Sequence, residues 1–480
     1  MRLRGTVAAV LFGLALGAGA GTRSAPLPES RRATLPGPTV AFLDTLEERT
    51  FRWFWELSDS STGLTPDRAP TRSFVSVGAV GFALTAYPIG VERRWVTRAE
   101  GAERVLRTLR FMWQAPQDSG ASGTAGHRGF FYHFLDPATG HRFETVELST
   151  MDTALLMAGA LFCQSYFDRR DPREARIRAL AESLYARVDW TWIQPRPPTI
   201  ALGWTPERGF LPYDWRGYNE ALLLHVLALG STTHPVGRDS WDAYTHGYRW
   251  GTFHGFAHVG FAPLFGHQFP HTWIDFRGIQ DDTMRVRGLD YFENARRATL
   301  AQRAYAIANP DSFRGYGRSL WGLTACDGPV DKTVTIEGRK RAFRTYAARG
   351  ASFIEVIDDG TVSPSALGGS LPFAPRETAE ALMAIRSSYG PQVFSRYGFV
   401  DALNPTLNTE VEVHHGRVVA GVGWFDTDCL GIDQGPILAM IENWRSDLVW
   451  RVMRRNPHLV RGLRRAGFRG GWLDRAPATP

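Results

Sequence analysis

Acidic side chains recur at one kind of place in this sequence. Asp152 stands in STMDTALLMAGALF, Glu220 in GYNEALLLHVLALG and Glu293 in ENARRATLAQRAYAIAN; Glu377 stands in APRETAEALMAIRSSYG and Asp433 in GIDQGPILAMIENWRS. Each falls in or just before the first turn of a segment that reads as an apolar or small-residue helix. A helix N-terminus favours negative charge by a few tenths to about 1 kcal/mol, so any single acid here has an ordinary structural reading. The set is harder to explain that way. Carboxylates gathered in a partly apolar hollow repel one another and lose hydration, so at least one should hold its proton near neutrality. One protonated and one ionised carboxyl group are what cleavage of a glycosidic bond requires: the first protonates the leaving oxygen, the second activates water or attacks the sugar carbon.

Further side chains could complete such a site. Trp215 and Tyr218 flank Glu220. The loop TWIDFRGIQDD supplies Trp273, Asp275 and Arg277, where an arginine between acids could orient carboxylates and sugar hydroxyls. YGFVDALNP places Asp401 on a Gly- and Pro-bounded loop. Other chemistries lack their signatures. The pairs His254/His258 and His267/His271 have helical spacing but no HExxH pattern, and there is no CxxC, so no metal site is expected. No GxSxG elbow, P-loop or strand-borne GxGxxG occurs. No cofactor is expected.

The elements that must hold these acids read as helices throughout. Six turn-then-apolar segments begin at Ser76, Ser149, Gly217, Glu293, Ala374 and Gly431, roughly 60 to 80 residues apart. Charged, amphipathic helices such as RAEGAERVLRTLRFMWQ and DPREARIRALAESLYARVDWTW run between them. Helices apolar on every side are buried, and those with a polar face lie outside. The expected fold is all-α, an (α/α)6 toroid or barrel of inner and outer helices. Small β-hairpin insertions are expected at KTVTIEGRKRAFRTY and EVEVHHGRVVAGVGWF. In such a toroid the N-terminal ends of the inner helices gather on one face.

At the N-terminus, MRLR followed by GTVAAVLFGLALGAGA and Ala18-Gly19-Ala20 reads as a signal peptide over residues 1–20. A Pro-rich linker follows at 21–39, and one catalytic domain is expected over 40–476. The expected location is periplasmic or secreted, with no stable membrane insertion after cleavage. The net charge of +7 comes almost wholly from arginine, Lys332 and Lys340 being the only lysines. That skew runs along the whole chain, so it does not single out a nucleic-acid partner. Three cysteines, Cys163, Cys326 and Cys429, allow at most one pair.

The segments FRWFWELSDSSTGLTPDR, ELSTMDTALLMAGAL, GFLPYDWRGYNEALLLHVLALGSTTHP, WIDFRGIQDD, YGFVDALNP and DCLGIDQGPILAMIEN together resemble bacterial glycoamylase-like domain proteins. That group includes endo-β-1,2-glucanases and is similar to the transglycosylating domain of cyclic β-1,2-glucan synthases. The resemblance covers roughly residues 43–473. It implies an (α/α)6 barrel that cleaves an oligo- or polysaccharide, a β-glucan with β-1,2 linkages foremost, in endo fashion and without cofactor. It implies catalytic roles for Glu220, as proton donor, and for Asp152 or Asp401 as the basic partner. Asp433, Glu147 and Asp67 lie in the same motifs and are expected to bind substrate. The family tends to carry Glu where this chain has Asp152, one bond shorter. Two other readings accompany the leading one: a transglycosylase or glucoamylase-type α-glucan hydrolase on the same scaffold, and a periplasmic glycan-binding protein without turnover.

Overall fold

The computed structural model describes residues 35–477. The expected signal peptide lies outside the described residues. So does most of the expected linker, whose last three residues instead open the first helix. Fifteen α-helices run through the described residues. They begin with α1 (Gly37–Leu57), α2 (Val77–Glu92), α3 (Arg98–Gln114), α4 (Thr150–Tyr166), α5 (Pro172–Arg187), α6 (Ala221–Gly230), α7 (Arg238–His246) and α8 (Phe269–Trp273). They continue with α9 (Asp282–Arg287), α10 (Tyr291–Ala308), α11 (Pro364–Gly368), α12 (Pro375–Tyr389), α13 (Gly431–Ser446), α14 (Leu448–Met453) and α15 (Pro457–Arg465). Among the described residues no helix is long and apolar enough to cross a membrane.

The chain sorts its helices by their side chains. Residues 77–90 of α2 are all buried, as are all of α6, α8 and α11. α4 and α13 are buried along nearly their whole length. α4 packs against α2 and α6, and α13 packs against α2, α8 and α11. Amphipathic helices cover them: α3 lies on α2 and α5, α12 on α11 and α1, α15 on α6. The predicted fourth and fifth inner segments are thereby corrected. α10 is half-buried along one side and α12 carries an exposed face, while the short, fully buried α8 and α11 stand in the interior.

Small residues set the closest approach in this core. A Cβ on Gly81 of α2 would stand 2.4 Å from the Leu155 carbonyl oxygen of α4, and one on Gly159 would stand 2.2 Å from the Gly81 oxygen. Only glycine lets the two backbones meet there. Pro88 inside α2 cannot donate to the Leu84 carbonyl, which a helix would otherwise pair with residue 88. The Cys163 thiol of α4 donates to that carbonyl at 3.0 Å instead. Cys163, Cys326 and Cys429 are all free and buried.

β structure is confined to small antiparallel sheets. Both expected hairpins form: Lys332–Ile336 with Arg339–Phe343, and Arg417–Val419 with Gly423–Phe425, the latter joined by Leu403–Asn404. The largest sheet has five strands and links Gly126–His127, Phe130–Tyr132, Leu148–Ser149, Gly203–Thr205 and Gly209–Phe210.

Candidate active site

Short strands end where the buried helices begin, and their pairing draws the helix starts together. Val75–Ser76 pairs with Phe134–Leu135, which sets His133 beside the start of α2. Leu148–Ser149 pairs with Phe131–Tyr132 and leads straight into α4. Arg68–Ala69 pairs with Cys429–Leu430, and the Gly431 amide donates to the Asp67 carbonyl at 2.8 Å. Val362 bridges to Leu403, and the neighbouring Ser363 hydroxyl donates to the Asp401 carbonyl at 2.6 Å.

One group of ionisable side chains forms around the start of α4. Ser149 caps that helix, its hydroxyl oxygen accepting from the Asp152 amide at 3.1 Å and its O–H donating to Asp152 Oδ2 at 2.5 Å. His133 Nε2 lies 3.4 Å from the same Oδ2, and His133 Nδ1 lies 2.9 Å from Glu147 Oε1. Burial works against the imidazolium, but Asp152, Glu147 and Asp67 outweigh it and push His133 up to about 9. Glu147 responds in kind: burial raises it, and the bond from His133 brings it below its ordinary value. Asp152 keeps Oδ1 buried and without a hydrogen-bond partner.

Glu220 completes this group. It immediately precedes α6 and is half-buried, with Oε2 enclosed and unpartnered. Burial first, then the charge of Asp152, pushes its carboxyl up to about 7. The Trp215 indole donates to Thr150 Oγ1 at 2.9 Å, which fastens the Glu220 loop to the first residue of α4.

A second group lies at the start of α13. Asp433, in its first turn, accepts from the Ser365 hydroxyl at 2.9 Å and is pushed up to about 7 by burial, with Asp327 and Asp67 adding to the effect. Asp401 is buried and accepts the Asp327 amide at 2.7 Å; burial, then Asp433, Asp327 and Asp426, hold its carboxyl well above the usual range. Asp426 is pushed up to about 7 by burial and by Asp327. Arg68 donates to Asp67 at 3.2 Å and to Asp327 at 2.5 Å. Asp67 bridges the two groups, since its carboxyl feels both His133 and Asp327. Beside Arg68 opens a cavity of about 610 Å³, lined also by Arg72, Phe74, Asp136, Phe143 and His415. Phe74 packs on Phe134 and Phe143 with ring centroids 4.0 and 5.0 Å away, forming an aromatic wall.

The structure therefore gathers Asp67, Glu147, Asp152, Glu220, Asp401 and Asp433 into one connected region. Three other expected residues stand elsewhere. Trp273 is fully buried and donates to Thr85 Oγ1 at 3.0 Å. Asp275 is buried against Arg277 and Arg454, and Arg277 reaches Asp447, the residue that ends α13. A 16-residue helix at 1.5 Å per residue puts that ion-pair cluster about 20 Å from Asp433. It ties helix ends and loops together away from the acids, with Arg277 Nε and Nη2 both bonded to the buried Asp275. Tyr218 is 4% exposed and packs among Tyr248, His267 and Tyr291, so it supports Glu220 from the core rather than offering a ring to a ligand. Glu293 and Glu377 are half-buried in the first turns of α10 and α12, Glu293 paired with Arg296 and Arg297. His254 and His258 lie on the hairpin Trp250–Phe253/Phe256–Val259, where four-residue spacing has no helical meaning.

Sequence reasoning passed over His133, Arg68, Asp327, Asp426 and Tyr346. None sits at a helix start, the pattern that marked the other acids. The doublet of acids in WFDTDC, just before GIDQGP, was the available signal for Asp426. Tyr346 is 56% exposed, and desolvation, then the charges of Asp433 and Asp401, push its hydroxyl well above its ordinary value.

A family model described as "Glycoamylase: Putative glucoamylase" matches residues 212–457. The exo β-1,2-glucooligosaccharide sophorohydrolase (non-reducing end) of Parabacteroides distasonis is 26% identical over 469 residues, covering 90% of this chain and 58% of that protein. The chain thus spans less than two thirds of that relative's length. Among solved structures, an endo-β-1,2-glucanase of Chitinophaga pinensis, in complex with sophorotriose and glucose, aligns with a TM-score of 0.76 and 25% identity over 92% of this chain and 100% of that one. A "putative glucoamylase" of Bacteroides uniformis aligns with a TM-score of 0.77 and 28% identity over 92% and 99% of the two chains. The matched segment, which holds Glu220, Asp401 and Asp433, covers half of the sequence, and on that ground the chain belongs to the glycoamylase family.

Proposed function

We propose that this chain is an exported glycoside hydrolase that cleaves β-1,2-glucan internally. The observation that carries the reading is Glu220: its carboxyl is pushed to about 7 beside Asp152, which is itself set against the His133 imidazolium. On this reading Glu220 holds a proton near neutral pH and delivers it to the glycosidic oxygen as the bond to the anomeric carbon breaks. Asp152 accepts the proton that the attacking water gives up, using the oxygen that neither Ser149 nor His133 engages. Water is thereby added across the bond and both carboxyl groups exchange their protonation states. Asp401 is the other expected base; burial and the neighbouring Asp433 hold its carboxyl well above the usual range, while Asp152 stands against the His133 imidazolium, which favours Asp152 as the ionised partner.

The substrate class follows the relatives, two of which are named for β-1,2-glucan or its oligosaccharides. Endo action follows the Chitinophaga pinensis relative, which is named an endo-β-1,2-glucanase. The wider architecture belongs to the same proposal. Residues 40–476 form one catalytic domain in which α2, α4, α6, α8, α11 and α13 are the inner ring of an (α/α)6 toroid. Residues 1–20 direct it to the periplasm or the medium.

A reducing-sugar assay across glucans of different linkage, followed by product chromatography, tests this. Linear β-1,2-glucan should yield new reducing ends as a mixture of oligosaccharide lengths. Release of disaccharide alone would make the action exo, cyclic or lengthened products would make it transglycosylation, and activity on starch alone would make it an α-glucan hydrolase. Binding by calorimetry without new reducing ends would make it a glycan-binding protein.

A further inference from the structure

Phe74, Phe134 and Phe143 are large, apolar and only partly buried, and none of the three belongs to the hydrophobic cores of the protein. Phe74 packs on the other two, and Phe134 stacks on His133 with ring centroids 4.0 Å apart. The row of rings thus ends at the imidazole that stands against Asp152. Phe74 and Phe143 wall the cavity of about 610 Å³, which Arg68, Arg72, Asp136 and His415 also line. That size lies within the roughly 300–1,000 Å³ of small-molecule pockets, which likewise join apolar walls to a few placed polar groups.

The loop from Arg68 to Phe74 is held along its length. The Asp67 amide donates to the Phe74 carbonyl at 2.8 Å, the Arg68 amide to Ser73 Oγ at 3.2 Å and the Thr71 amide to Asp428 Oδ1 at 2.9 Å. These bonds fix the backbone on both sides of Arg72. Arg68 is bonded to Asp67 and Asp327, whereas Arg72 is exposed and has no hydrogen-bond or ion-pair partner among the described residues.

We propose that this cavity is a glucan subsite away from the bond that breaks, in which Phe74 and Arg72 make the enzyme prefer long chains. The inference rests on the hydrolase reading above. A glucopyranose ring presents C–H groups on its faces and hydroxyls around its rim. Phe74 and Phe143 cover a face, which removes apolar area of sugar and protein from water. Arg72 donates to hydroxyls at the rim. A chain that reaches from Asp152 past His133 into the cavity gains both contacts, and a shorter one gains neither.

The test is kcat/KM of the full-length protein on β-1,2-glucooligosaccharides of increasing length. The value should rise with length and level off once the chain fills the cavity. In Arg72→Ala and in Phe74→Ala, the ratio of kcat/KM for a long chain over the shortest one cleaved should fall about tenfold, through KM, as the loss of a hydrogen bond to a charged group or of a covered ring entails. Should Phe74→Ala not fold, Phe74→Leu, which removes the flat ring and keeps apolar bulk, takes its place. No dependence on length in the wild type, or an unchanged ratio in the folded variants, overturns the subsite and leaves hydrolysis standing. If the wild type cleaves no β-1,2-glucan, the hydrolase reading falls, and calorimetric titration with the same oligosaccharides decides the subsite. Binding that strengthens with length and weakens about tenfold in the variants upholds it; binding that does neither, or no binding, overturns it.

Discussion

His133 Nε2 stands 3.4 Å from Asp152 Oδ2, while the other ring nitrogen stands 2.9 Å from Glu147. An imidazolium is thus held between two carboxylates, and its folded pKa of about 9 exceeds the unfolded value of about 6.5. A raised folded pKa contributes stability that is complete below pH 6.5 and is lost as pH rises through about 9. His133→Gln should remove that part of the pH dependence. Denaturant melts of the two proteins at pH 6 and pH 9.5 measure it: the stability gap between them should narrow at the higher pH.

The same contact bears on Glu220. Asp152 raises the Glu220 carboxyl, so neutralising it should let that carboxyl fall from about 7. In the wild type, kcat/KM should decline as pH rises through about 7, because Glu220 must be protonated to act. In Asp152→Asn the residual activity should decline at a lower pH. An unmoved or upward-moved limb in the variant contradicts the pairing.

Gly78 makes room for Asp152. A Cβ there would stand 2.6 Å from Asp152 Oδ1, the unpartnered oxygen. Gly78→Ala should push the carboxylate aside and lower kcat about 10-fold or more, since a shift of about 1 Å can cost on the order of 100-fold. Alanine suits a helix interior, so steady-state kinetics should register the change more than melting does.

Arg277 supplies the converse test. It pairs with Asp275 and Asp447 at the far end of α13. Arg277→Met should leave kcat within about threefold while destabilising the protein by roughly 1.5–3 kcal/mol, the usual worth of hydrogen bonds to charged groups. Urea denaturation and kinetics on one preparation separate the two effects.

The site acids that were legible in the sequence share one feature: an acid at the head of a long apolar helix, as in DTALL, GYNEALL and GIDQGP. Burial of α2, α4, α6 and α13 follows from side chains that are apolar or small on every side. α8 and α11 escaped notice because FPHTW and PSALG are five residues each, too short to show a helical period. The longer α10 and α12 took their place in the reading. Trp273, Asp275 and Arg277 look like a sugar-binding loop in one dimension. Their partners, Thr85, Arg454 and Asp447, are far away in sequence, and only the fold reveals that those bonds are already made. His133 and Asp327 owe their place to strand pairing and a long-range arginine, neither of which leaves a local pattern.

The central claim is that Glu220 supplies the proton that breaks the glycosidic bond. Turnover of linear β-1,2-glucan by Glu220→Gln, compared with wild type at pH 6, tests it most directly. The account predicts a folded protein with kcat reduced about 10²- to 10⁴-fold. A folded variant that keeps more than about a tenth of wild-type kcat would contradict it.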